Sequence, residues 1–119
     1  DVQQTEYFNQ HQVECVKQAA ALLTQELTVH RTIEQLAQEV GLSPTALNSC
    51  FKGIYGSSVY AYQKEYRLQL AQKLLLETDC TVAEIAHRVG YENPNKFSSA
   101  FREAAGMTPT EYRKMRPIG

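Results

Sequence analysis

The chain repeats itself, and the repeat narrows what it can fold into. Thr32, Ile33, Leu36, Ala37, Val40 and Gly41 recur 49 residues later as Thr81, Val82, Ile85, Ala86, Val89 and Gly90. Leu47, Phe51, Lys52, Gly56 and Tyr62 recur 50 residues later as Phe97, Phe101, Arg102, Gly106 and Tyr112, so the turn of the second copy holds one extra residue. Each copy reads as helix, short Gly-containing turn, helix, which is the sequence form of a helix-turn-helix. Thr32 with Gln35, and Thr81 with Glu84, have the spacing of a capping box at the start of a helix. Gly41 and Gly90 follow as stops. Ser43 and Asn93 then cap the second helix of each copy, with Pro44 and Pro94 at its first position, where a missing N–H costs nothing. The buried stripe is expected from Leu47, Cys50, Phe51 and Ile54 in one copy and from Phe97, Ala100, Phe101 and Ala104 in the other.

Between the copies lies SVYAYQKEYRLQLAQKLLLE, residues 58–77, with neither Gly nor Pro. Its composition favours one long helix of roughly 30 Å. Two apolar stripes are visible. One is Val59, Tyr62, Tyr66, Leu70 and Leu74, and the other is Tyr60, Leu68, Ala71 and Leu75, so the helix needs two partners. Its length is close to one turn of B-DNA, roughly 34 Å. Ahead of the first copy, Val13, Val16, Ala20, Leu23 and Leu27 predict an amphipathic helix over about 10–27. After the second, Thr108-Pro109 starts a last short helix carrying Tyr112. The expected organisation is an all-α chain: 1–9 a linker or frayed N-terminus, 10–57 a first helix-turn-helix unit, 58–77 the connecting helix, and 78–119 a second unit.

Composition excludes several classes. At 119 residues, 43% hydrophobic and 21% charged, the balance is that of a soluble globular chain. No apolar run approaches the ~20 residues of a membrane span. No signal peptide is visible, and Asp1 in place of an initiator Met suggests a fragment or a processed chain. Cys15, Cys50 and Cys80 are far apart with no CxxC pair, which fits a reducing cytoplasm rather than a disulfide framework or zinc site. His11, His30 and His87 share no metal spacing. No Cys is expected to neighbour a His or another Cys, and paired carboxylates and Gly-rich phosphate loops are lacking, so no catalysis, cofactor or metal is expected. The net charge of −1 conceals an asymmetry: residues 1–48 hold two basic and six acidic side chains, residues 49–119 ten basic and seven acidic. DNA binding depends on such local charge rather than on the total.

The apolar stripes leave an outward set in each second helix. In the first unit it is Thr45, Ala46, Asn48, Ser49 and Lys52. Asn pairs bidentately with adenine, Ser and Thr serve either partner, and the methyls of Ala46 and Thr45 suit thymine. Lys52, further along, suits a phosphate. In the second unit the set is Asn95, Lys96, Ser98, Ser99 and Arg102, with Asn93 at the cap. Lys96 suits guanine and Asn95 adenine; Arg102 corresponds to Lys52. Each set is also what an ordinary solvated face contains, and Asn93 is equally well a cap alone. Tyr55 is a weaker candidate for stacking or phosphate contact, and Arg113 and Lys114 for DNA backbone. Arg67 is expected to pair within the protein, with Glu84 or Glu103 as partners.

The run Arg67-Leu68, Ala71, Leu74-Leu75, then TVAEIAHRVGYENPNKFSSAFREAAGMTPTEYRK (81–114), resembles the AraC/XylS family of bacterial transcription regulators. TIEQLAQEVGLSPTALNSCFKGIYG (32–56) resembles it more loosely, and the likeness covers roughly residues 10–116. It implies about seven helices and two recognition helices, about 44–54 and 94–105, entering adjacent major grooves of double-stranded DNA. It further implies a cytoplasmic regulator, taken here as an activator, with RNA polymerase as a candidate partner and a separate N-terminal effector or dimerisation domain. The first recognition helix has no Arg or Lys in its first two turns. That motivates the alternative of a helical protein-interaction module with the same fold and little DNA affinity.

Overall fold

A computed structural model describes residues 8–117. Among them are seven helices and no strand: α1 Gln10–Gln25, α2 Ile33–Val40, α3 Pro44–Tyr55, α4 Val59–Glu77, α5 Val82–Arg88, α6 Pro94–Ala105 and α7 Pro109–Arg113. The chain divides into two compact units. One contains residues up to 26 together with 30–64, and the other 27–29 together with residues from 65 on.

The predicted helix starts are present and bonded. Thr32 Oγ1 accepts from Gln35 N while the Gln35 side chain accepts from Thr32 N, and Thr81 with Glu84 and Thr108 with Glu111 close the same box. Of the stretch expected as a linker or frayed N-terminus at 1–9, residues 1–7 lie outside the described residues; Asn9, at its end, caps α1 and forms a capping box with Gln12. α1 also ends at Gln25, two residues short of the expected Leu27.

The first core includes Val16, Ala19, Leu36, Ala37, Leu47 and Phe51, all at most 1% exposed, with Cys15, Ala20, Leu23, Val40 and Cys50 among them. The second consists of Ala71, Leu75, Ile85, Ala86, Val89, Phe97 and Phe101, each fully buried, together with Leu68. Fully burying such a side chain contributes about 1.5–3 kcal/mol, so the phenylalanines Phe51, Phe97 and Phe101 are the main anchors. The repeat is visible in their packing. Phe51 meets Tyr62 edge-on with ring centres 5.2 Å apart, and Phe101 meets Tyr112 edge-on at 5.5 Å. In both units an aromatic just beyond the second helix packs back onto it.

Two expectations about stripes are corrected. α4 is divided along its length rather than between two faces. Val59 and Tyr62 pack on the first core, and Leu68, Leu70, Ala71, Leu74 and Leu75 on the second. Tyr60 is 73% exposed, with Lys64 Nζ 6.0 Å from its ring centre, and Tyr66 is 36% exposed. Periodicity assumes one burial direction along a helix, whereas here each half answers to its own unit. In α6 the stripe includes Ala105, which packs on the core, and Ala104 is exposed.

Arg67 does pair within the protein, and two main-chain oxygens are among the groups that receive it. It is 8% exposed, and its Nη1 donates to the carbonyls of Leu27 and Val89, 2.8 Å each. Glu84, one of the expected partners, is engaged by Thr81. Gly90 makes room for the guanidinium. It sits at φ +99°, and a Cβ there would overlap both the Arg67 guanidinium and the Leu27 carbonyl oxygen. Arg113, a candidate for DNA backbone, is likewise occupied: its Nε and Nη2 donate to the carbonyls of Leu75 and Thr78, at 3.1 and 3.2 Å, and so close the C-terminus of α4.

The expectation that no cysteine neighbours a histidine is overturned. Cys15 Sγ lies 3.5 Å from His11 Nε2. The two are one helical turn apart, and neighbours at i, i+4 meet on a helix surface.

Candidate nucleic-acid interface

α3 begins where the sequence places it. Ser43 Oγ accepts from Ala46 N and Pro44 fills the first position. Leu47, Cys50 and Phe51 then turn into the core, and burial pushes the Cys50 thiol above its ordinary pKa. With that face fixed, Thr45, Asn48, Ser49 and Lys52 are exposed, and Ala46 is half-buried at the margin. The four exposed residues border one open depression of about 760 Å³, which continues past Gly53 and Gly56 and is walled by Phe8. Tyr55 is half-buried and packs against the first core. Its ring centre is 4.8 Å from that of Phe51 and 5.0 Å from that of Tyr62, and burial raises its phenol pKa.

α6 repeats the plan. Asn93 Oδ1 accepts from Asn95 N at 2.8 Å, so Asn93 is a working cap. Phe97 and Phe101 are buried, which leaves Asn95, Lys96, Ser99 and Arg102 exposed and Ser98 half-buried. Lys52 and Arg102 both lie in the last turn of their helices. Each second helix therefore presents a polar row toward its start, which in α6 includes Lys96, and a cation in its last turn, on the side away from its buried phenylalanines. Such a surface offers hydrogen bonds to base edges and a charge for a phosphate. Phe8 is the residue that sequence reasoning missed. It stands outside the repeat and outside any helix, and only the fold brings it beside α3.

Two helix-turn-helix units, each with a polar, cation-ended second helix, define the class: a double helix-turn-helix domain of the DNA-binding type. The family profile described as "Helix-turn-helix domain" matches residues 36–115. A putative AraC-like transcription regulator of Streptomyces lividans is 37% identical over 83 residues, covering 70% of this chain and 27% of that protein. The C-terminal domain of AraT, a response regulator from Geobacillus stearothermophilus, superposes with a TM-score of 0.82 at 33% identity, covering 88% of each chain. The DNA-binding domain of AdpA, a global transcriptional factor solved with a target DNA, gives 0.78 at 27% identity, covering 83% of this chain and 89% of that one. The chain belongs to the AraC/XylS family of helix-turn-helix transcription regulators. It spans less than a third of the length of the curated relatives it matches.

Proposed function

We propose that the chain is the sequence-specific DNA-binding part of a bacterial transcription regulator, with α3 and α6 as recognition helices in two adjacent major grooves. The observation that carries this reading is the duplicated arrangement itself. A buried phenylalanine fixes each helix, and an exposed polar row with a terminal cation faces away from it. Thr45, Asn48 and Ser49, with Ala46 at the edge, read bases in one half-element. Asn95, Lys96 and Ser99, with Ser98 at the edge, read the other. Lys52 and Arg102 hold phosphates, and the N-terminus of α6 at Asn93 favours a third. The solved complex of the AdpA domain with DNA supports the same use of the fold.

In this reading the domain has no catalytic role and acts in the cytoplasm. Among the described residues no helix is long and apolar enough to cross a membrane. The short span relative to its relatives supports a further effector or dimerisation domain in the whole protein, which acts as an activator through RNA polymerase. The experiment is a selection of bound sequences from a random duplex pool, followed by titration of the selected duplex in rising salt. Binding should weaken steeply, because each neutralised phosphate contributes about 0.9 to the slope of log K against log salt. Affinity that ignores salt would instead mark a protein-interaction module.

A further inference from the structure

Gly53 lies inside α3, where glycine is a poorer helix former than alanine. Its use is spatial. A Cβ at that position would lie 2.5 Å from Cζ and 2.6 Å from Cε2 of the Phe8 ring. The ring therefore sits in a notch that only glycine provides. One part of it packs on the first core, and the rest walls the depression shared with Asn48 and Lys52. Thr45 and Gly53 are eight residues apart, roughly 12 Å along the helix axis. The major groove is about 12 Å wide. A helix that seats its first turns on base edges thus brings its Lys52–Gly53 end to the bordering strand. There a cation meets phosphate, and an apolar ring beside it meets the carbon face of a deoxyribose.

We propose that Phe8 is a DNA-contacting residue of the first unit, its ring packing on the deoxyribose next to the phosphate that Lys52 holds. The proposal rests on the DNA-binding reading and extends the interface beyond the recognition helix to the segment ahead of α1. The contact is apolar and releases no counterion, which separates it from a charge contact. On the selected duplex, Phe8→Ala should weaken binding about fivefold, the effect of leaving some 40 Å² of apolar surface in water, with the salt slope unchanged. Phe8→Leu should recover most of the loss. Lys52→Ala should instead lower the slope by about 1. On a duplex carrying only the second half-element, Phe8→Ala and the parent should bind alike.

Photo-cross-linking then tests the contact itself, with p-benzoylphenylalanine replacing Phe8, Asn48 or Tyr60 in separate samples. Adducts from positions 8 and 48, mapping to the same half-element, with none from position 60, are the expected result. An adduct from 48 without one from 8 overturns the proposal. So does a Phe8→Ala loss of equal size on the second half-element alone, which would make Phe8 a fold-holding residue. Adducts from neither 8 nor 48 would sink the underlying DNA-binding reading instead.

Discussion

Replacing Arg67 by Met probes the bonds that organise the second unit. Arg67 is 8% exposed and donates two hydrogen bonds of 2.8 Å to the Leu27 and Val89 carbonyls, with its guanidinium 6.0 Å from the ring centre of Tyr91. Methionine keeps most of the apolar stem and removes the donors. Hydrogen bonds from a charged donor contribute about 1.5–3 kcal/mol each, and a buried acceptor left without its partner costs a similar amount. Two bonds give about 3–6 kcal/mol, and we take about 4 as the expected loss. Domains of this size are stable by roughly 5–15 kcal/mol, so the variant should remain folded at room temperature but lose on the order of 15 °C in its thermal midpoint. Urea unfolding followed by far-ultraviolet circular dichroism measures the loss directly, with an unchanged denaturant slope indicating that the folded state is intact. Arg67→Lys should fall in between, because one ammonium cannot match the guanidinium's fixed fork of donors. A Met variant within about 1 kcal/mol of the parent would refute the reasoning, because it would mean that water serves these carbonyls as well as Arg67 does.

Three further outcomes follow from named groups. Glu84 and Glu111 lie below the usual carboxylate pKa because the main-chain N–H and then the hydroxyl of Thr81 and Thr108 donate to them. Their contribution is therefore present above about pH 4.5 and lost as pH falls through the lower folded value. The first unit closes its boxes with Gln12 and Gln35, which do not titrate, so Glu84→Gln with Glu111→Gln should flatten the fall of the thermal midpoint between pH 5 and 3; an unaltered profile would count against the caps as its cause. Lys96→Ala should cost about 1–3 kcal/mol of binding and relax one base position in a selection, while Arg102→Ala should weaken all sequences alike and lower the salt slope by about 1. Uniform losses from both would contradict the assignment of Lys96 to a base.

Much of the fold was legible because it is local. Thr32, Ser43, Thr81, Asn93 and Thr108 announce helix starts within three residues of themselves, and Gly41, Gly56 and Gly106 announce ends with left-handed backbone. The inward rows of α3 and α6 follow from 3.6-residue periodicity, and the outward candidates follow by subtraction. What escaped is long-range or off by one residue. The oxygens that receive Arg67 belong to Leu27 and Val89, 40 and 22 residues away, and main-chain acceptors leave no mark on a sequence. Phe8 and Gly53 each look unremarkable alone, and only their contact gives them meaning. Ala104 and Ala105 are neighbours, so a rotation of one residue exchanges the buried and exposed members. The division of α4 escaped because a helix shared by two units has no single burial direction. His11 and Cys15 are four residues apart, so they are neighbours only once the segment is helical.

The central claim is that both units engage DNA together, and the spacing of the half-elements tests it most directly. In the proposed reading the two recognition helices enter adjacent major grooves, so the half-elements are expected about one helical turn apart, roughly 10 bp. The measurement is the affinity for the selected duplex, for the same duplex with five base pairs inserted between the half-elements, and for a duplex with one half-element scrambled. The insertion should reduce affinity to that of the scrambled duplex, because the second half-element is turned to the opposite face. Affinity unchanged by the insertion would contradict joint engagement and leave two units that bind independently, or one that binds alone.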